Sequence, residues 1–406
     1  MNGTNAPAPD HASPGERPAH DEPEALGPRP PTEAAFTFTG SGSEYFRIWI
    51  VNILLTILTL GVYSAWAKVR RIRYFYNNTR FAGSSFDFHG SPIAILKGRL
   101  VGVTLLALTY VPVVGPAFVL LFLAVLPWLL TKAFQFHLFN TSWRNLRFRY
   151  VGTAGDAYRA LYLPILALIL IGGVGALMLG LGSGAAPKAG AVLVFIAFGL
   201  FYLLVPYLQY RMRRMYTLHA RVGGSRFGFD VKPLEYCVPY ILAVVAAMAV
   251  MFVLGLLAAV LVPLMGASGL AEIFTAEPEG DSPPASVVLI TLAVLAVFYL
   301  AFAVVFPLAV ALLHNLVWNG TRLEAHRFRA RLPVMRYTFT WIGLTVLTIL
   351  TLGLYRPFAA VKLARMRVES VAWTGGANAL ISMLAQENQQ ATGSEVADVM
   401  GFDFGL

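Results

Sequence analysis

The side chains best suited to bind something gather four times along the chain, each time at the polar edge of an apolar stretch. Asn78, Thr79 and Arg80 form the first group, and Asn140, Thr141 and Arg147 the second. Arg226 stands in the third; Thr321, Arg322 and Arg327 form the fourth. Guanidinium forks beside amide or hydroxyl donors suit an anion such as a phosphate or a lipid headgroup. The same residue types have a plainer use. Asn and Thr cap helices and make turns, and Arg anchors a helix end at lipid phosphate. These positions are the candidate binding set, and a membrane lipid or a small solute is the expected partner.

Other chemistries find less support. His137, His219 and His314 fall near one depth, which invites a three-histidine zinc site. They stand four, one and seven residues before Thr141, Ala220 and Thr321, however, so their helical faces are expected not to coincide and no metal is expected. Cys237 is alone and can build neither an intrachain disulfide nor a cysteine cage. No GxxxxGK[ST], HExxH, CxxC or paired-carboxylate motif occurs, and no nucleophile–base pair is visible, so neither cofactor nor catalysis is expected. The centres of the apolar runs hold no Asp, Glu, Lys or Arg, which excludes an acidic proton relay.

The elements that must carry these residues follow from composition. The chain is 57% hydrophobic and 13% charged, with a mean hydropathy of +0.65. Uncharged runs cover 100–131, 161–187, 189–210, 238–271 and 282–321. A bilayer core takes about 20 apolar residues as helix, so several of these runs can span. A net charge of +10 would suit nucleic acid, but its distribution argues for topology instead. Of 31 Lys and Arg, 23 lie in the segments 65–100, 132–159, 211–232 and 322–336. The segments between paired runs are neutral or acidic, which by the positive-inside rule puts the basic ones in the cytoplasm. No nucleic acid is expected. Residues 1–35 are Pro-rich with no apolar core and read as a disordered tail rather than a signal peptide.

Internal repeats organise the rest. Two aromatics spaced by two open FTFTGS at Phe36, FDFHGS at Phe86 and FRYVGT at Phe148, with looser forms FGFDVK at Phe227 and FRARLP at Phe328. Alternating aromatics place both rings on one face of a strand, and the small polar residues that follow suit a helix start. Pro127, Pro206, Pro307 and Pro357 stand 14 residues before Thr141, Ala220, Thr321 and Val371, with Ala65 the matching position before Thr79. LTILTLGVY at 55–63 and LTILTLGLY at 347–355 mark two shortened units at the ends. The fold expected is an all-α polytopic membrane protein with short cytoplasmic β-strands. It is a tandem repeat of strand plus helical hairpin, with about six full spans and two short or re-entrant helices. Five units (36–85, 86–147, 148–226, 227–327 and 328–379) form the membrane domain, and 380–406 is a cytoplasmic tail.

The stretch LTILTLGVYSAWAKVRRIRYFYNNTRFAGSSFDFHG resembles the repeated core of the YjgN-like family of bacterial inner-membrane proteins. The ending GSEVADVMGFDFGL, from Gly393 to Leu406, resembles that family's acidic-aromatic terminus, and the likeness covers most of 36–406. It implies a multi-pass protein of the bacterial inner membrane and supplies no activity or catalytic residues. Asn145-Leu146 and Glu324-Ala325 depart from the Gly-Ser-Ser of 83–85. Solute permeation or transport by a helical bundle is the function expected, with a non-catalytic scaffold organising lipid or a protein as the alternative.

Overall fold

The computed structural model describes residue 3 and residues 33–112, 114–180, 186–264 and 285–375. Of the disordered tail expected at 1–35, Ala34 and Ala35 instead belong to a strand; apart from residues 3 and 33–35, that tail, the tail at 380–406 and most of the acidic segment 265–286 lie outside the described residues. Contacts separate Met1–Pro31 from Thr32–Leu406, and the architecture below is that of the latter.

Each aromatic-x-aromatic phrase forms a five-residue strand: β1 (Ala34–Phe38), β3 (Ser84–Phe88), β5 (Leu146–Tyr150), β7 (Ser225–Phe229) and β9 (His326–Ala330). Five three-residue strands alternate with them: β2 (Thr79–Phe81), β4 (Thr141–Trp143), β6 (Ala220–Val222), β8 (Thr321–Leu323) and β10 (Val371–Trp373). All pairs are antiparallel, and the ten described strands close into a barrel. The seam is β1 on β10, where Ala34 faces Trp373 and Ala35 faces Ala372. Four seams are two-residue hairpins such as Ala82-Gly83 and Arg144-Asn145, and all four of these residues have positive φ. That is the backbone hand a tight hairpin needs to follow strand twist.

A helical hairpin leaves and re-enters the barrel between the strands of each remaining pair. The pairs are α1 (Gly42–Leu58) with α2 (Ser64–Asn77), α3 (Pro92–Leu108) with α4 (Gly115–Phe139), and α5 (Ala154–Gly180) with α6 (Ala186–His219). Next come α7 (Pro233–Leu264) with α8 (Ala285–Asn319), then α9 (Val334–Leu350) with α10 (Arg356–Glu369). Phe38 pairs with Thr79, Phe88 with Thr141, Tyr150 with Ala220, Phe229 with Thr321, and Ala330 with Val371. Every helical hairpin therefore starts and ends at one rim, and the β-hairpin tips point the other way.

Two corrections follow for the expected fold. The structure is not all-α with incidental strands, because the strands form one closed barrel. Nor are there six full spans: four described helices are long and apolar enough to cross a membrane, or five if α6, bent by 47°, is one span. α3 has 17 residues and includes Lys97 and Arg99, and α9 also has 17. At a rise of about 1.5 Å per residue, 17 residues reach only about 25 Å.

The two copies of LTILTLG build one turn twice. Leu60 and Gly61 have φ of +47° and +91°, and Leu352 and Gly353 have +51° and +92°. Gly61 N donates to Thr56 O and Gly353 N to Thr348 O, each at 2.7 Å. The hydroxyls of Thr59 and Thr351 accept from Tyr63 N at 2.9 Å and Tyr355 N at 3.0 Å. Both are left-handed helix stops, so α1 and α9 reverse and return to the rim. Pro127, Pro206, Pro307 and Pro357 are all buried, as is Ala65. α5 and α6 pack closely: a Cβ on Gly190 would come 2.7 Å from Gly175 O. Gly175 thus serves helix contact, whereas a Cβ on Gly173 or Gly180 would meet nothing within 4 Å.

Inward side chains fill the barrel from the tip end. Phe81, Trp143, Val222, Leu323 and Trp373, each the last residue of a short strand, join Phe328 and Ala330 in one buried cluster. Trp373 is 0% exposed and Trp143 2%, so the tip end is closed by side chains.

Candidate functional site

Above that plug, at the rim, lies a chamber of about 590 Å3. Its floor is the middle ring of the long strands, Phe36, Phe86, Phe148 and Phe227. Its waist is the first residue of each short strand: Thr79, Thr141, Ala220, Thr321 and Val371. Its upper wall comes from all five returning helices, α2, α4, α6, α8 and α10.

One register explains which helical residues face inward. Counting back from the waist, position −3 supplies Tyr76, Leu138, Thr217, Trp318 and Val368. Position −4 supplies Phe75, His137, Tyr216 and Arg367, and position −7 supplies Arg213, His314 and Ala364. Residues three and four apart share a helix face, so each returning helix presents one stripe to the chamber. This corrects the expectation about the histidines. Positions −4 and −7 lie on one face, so His137 and His314 both line the chamber. His219 turns away, with Nε2 3.6 Å from Asp156 and Nδ1 2.8 Å from Met215 O.

The two inward histidines are tied to neighbours. His137 Nε2 lies 3.3 Å from the Tyr76 hydroxyl, whose pKa burial pushes up, and His314 Nε2 lies 3.0 Å from Ser370 Oγ. No group of three metal-capable side chains occurs among the described residues.

Thr79, Thr141 and Thr321 reach the chamber, yet their hydroxyls donate to Phe75 O, His137 O and Val317 O at 2.8, 2.8 and 2.7 Å. They close the last turn of their helices. Asn78 and Asn140 also back-bond, to Tyr74 O at 2.9 Å and Phe136 O at 2.7 Å. Arg80, Arg147, Arg226, Arg322 and Arg327 alternate with the inward residues and stand exposed on the outer wall. Arg147 lies over the Phe139 ring at 5.2 Å, and Arg322 and Arg327 share Asp230 at 3.1 and 3.4 Å. Arg226 N donates to Glu324 Oε1 at 2.5 Å. Of the ten candidate residues, the three threonines line the chamber with their hydroxyls spent on helix closure, the two asparagines close helices, and the five arginines stand on the outer wall.

That outer wall is densely basic. Arg149 faces Arg221, Arg221 faces Arg226, and Arg322 faces Arg327 across the ladders. Partial burial and then Arg226 hold the Arg221 pKa below the usual arginine range, with Glu324 opposing. The wall also carries a serine–histidine contact that sequence reading missed, Ser142 Oγ to His89 Nε2 at 2.8 Å. Asp87 lies 3.7 Å from His89 Nδ1, beyond hydrogen-bonding range, and Ser142 is only 7% exposed. The cluster bridges two strands and does not present an activated nucleophile.

What sequence reading also missed is the pair of arginines on the inward stripe. Arg213 was visible only as a member of the basic segment 211–232, and Arg367 lay outside all four basic segments; their register from Ala220 and Val371 was the available signal. Asn315 and Asn319 are clamps. Asn319 accepts from Ala330 N at 2.7 Å and donates to Ala330 O at 3.2 Å. Asn315 does the same for Leu332, at 2.8 and 2.9 Å.

Residues 33–399 match the family described as bacterial protein of unknown function (DUF898). The chain belongs to that family. Among curated proteins, the inner membrane protein YjgN of Salmonella typhimurium is 25% identical over 364 residues, covering 84% of this chain and 89% of that protein. YjgN of Escherichia coli K12 is 32% identical over 153 residues, which cover 34% of this chain. The matches to both Escherichia coli relatives span only 37% of those proteins' length. No solved structure matches. Like these relatives, this DUF898 protein resides in the bacterial inner membrane, and its long apolar helices suit that medium.

Proposed function

We propose that the protein is a multi-pass inner-membrane protein of five tandem strand–hairpin units, in which the rim chamber is the binding site for a solute moved by permeation or transport. The carrying observation is the chamber itself. All five returning helices supply it through one repeated register, in a cavity within the size range of small-molecule sites. Because side chains fill the tip end, the proposed route does not run along the barrel axis; it passes between the rim and the helical hairpins. The barrel and the basic helix ends face the cytoplasm in this reading, against anionic lipid headgroups.

The test is flux and its dependence on the chamber. Full-length protein in proteoliposomes should take up at least one solute from a panel of ions, metabolites and amphiphiles. Phe148→Trp, which fills the floor, should cut that uptake about tenfold while the protein melts at an unchanged temperature. Absence of flux for every solute removes the reading. One observation favours a second one: the filled tip end suits a non-catalytic scaffold that holds lipid or a partner protein. Recovery from native membranes of a stoichiometric partner, with no flux, decides for the scaffold.

A further inference from the structure

Arg213 on α6 and Arg367 on α10 are the only Lys or Arg side chains among the described residues lining the chamber, and no Asp or Glu lines it. Neither guanidinium has an ion-pair partner among the described residues. Arg367 makes one long contact, Nε to Leu363 O at 3.4 Å on its own helix. His314 lies on the intervening helix α8, so the three groups occupy successive returning helices on one side of the upper wall. Below them the floor is a ring of phenylalanines.

This arrangement is polarised. Two exposed cations, three positions apart in the register, border a chamber that offers them no counter-charge. Both side chains are exposed, so an anion bound here replaces water at two unpaired guanidiniums rather than relieving a buried charge. Guanidiniums also bind carboxylate or phosphate oxygens through paired donors. The aromatic floor cannot satisfy a hydrated ion, but it suits a hydrocarbon chain. His314 is already engaged with Ser370, which leaves the two arginines as the cationic donors.

We propose that the chamber binds an amphiphile with an anionic head, the head between Arg213 and Arg367 and the hydrocarbon chain against Phe86, Phe148 and Phe227. This rests on the chamber being a binding site, and it names the ligand class. The head chemistry, a carboxylate or phosphate on an acyl chain, can come from a free fatty acid or from a bilayer phospholipid.

Native mass spectrometry of the full chain in detergent tests it. The protein is titrated in parallel with oleate, oleyl alcohol, dioleoyl phosphatidylglycerol and inorganic phosphate. One anionic amphiphile per chain should bind at least about tenfold tighter than oleyl alcohol, because charge-assisted hydrogen bonds are the stronger kind. Arg213→Gln with Arg367→Gln should abolish that preference, and the Lys pair at the same positions should keep most of it. Phe148→Ala should weaken oleate and oleyl alcohol alike. Tight binding by oleate alone assigns a free acyl anion, and by phosphatidylglycerol alone a bilayer lipid. Equal binding of oleate and oleyl alcohol overturns the head assignment. So does an anion preference that survives the Gln pair, and so does phosphate binding as tightly as the amphiphiles. If no amphiphile binds while proteoliposomes still take up a hydrophilic solute, this ligand class is wrong and the chamber reading stands. Loss of both binding and flux removes both.

Discussion

Closure of the barrel predicts different fates for two tryptophans that look alike in sequence. Trp373 ends β10 at the seam, is 0% exposed, and packs against Phe328 at 5.0 Å and His326 at 5.3 Å between ring centroids. Truncating a buried Trp to Ala costs about 3–5 kcal/mol. At about 2–4 °C per kcal/mol, Trp373→Ala should lower Tm by roughly 6–20 °C. The finer prediction concerns Phe. Trp373 Nε1 is buried with no partner in the protein, whereas Trp143 Nε1 donates to Ser84 O at 3.3 Å. Trp→Phe removes an orphaned donor at 373 and a made hydrogen bond at 143. An unsatisfied buried donor costs about 1–3 kcal/mol and a typical bond contributes about 1 kcal/mol. Trp373→Phe should therefore be milder than Trp143→Phe by about 2 kcal/mol or more. The assay is thermal unfolding of detergent-solubilised protein followed by near-ultraviolet circular dichroism. A Tm change under about 2 °C for Trp373→Ala, or a reversed order of the two Phe variants, would refute the closed, filled barrel.

Three further outcomes follow. Asn315→Leu leaves both backbone groups of Leu332 unpaired and should cost about 2–4 kcal/mol, read as lost Tm together with faster amide exchange at 330–332. Gly61→Ala and Gly353→Ala force a side chain into φ near +91° and +92°; each should cost about 1–2 kcal/mol and raise protease sensitivity at its turn. Asp230→Asn releases Arg322 and Arg327, but the groups are partly exposed, so the loss should stay under about 1 kcal/mol and vanish in high salt.

Much of the local structure was legible. Phe36-x-Phe38 and its later forms announced strands because alternate residues share a face. The spacing from Pro127 to Thr141 recurred because four returning helices share one length from a buried proline to the rim, with Ala65 in that place on α2. The duplicated LTILTLG was legible as the mark of two shortened end units; that it stops each helix at a positive-φ Gly61 or Gly353 came from the structure. The candidate site was legible only in part. Thr79, Thr141 and Thr321 were found through their type, and all three line the chamber. Their hydroxyls are nevertheless consumed by their own helices, which spacing alone does not reveal. Arg80, Arg147, Arg226, Arg322 and Arg327 were chosen for charge, and strand alternation sends each of them outward.

What the chain determined alone was periodic and local: which face of each strand is apolar, where each helix turns, and which end of each hairpin is basic. What tertiary structure decided was non-local. Strands of three residues carry too little pattern to announce themselves, and each acquires meaning only through two neighbours. The seam joins Ala34 to Trp373, a pairing that exists only when every intervening unit has taken its place around the axis. Once the ring closes, single residues from separate helices meet in one cavity, and Arg213, His314 and Arg367 come to line it together. Proximity of that kind is a property of the closed ring and is written in no one segment.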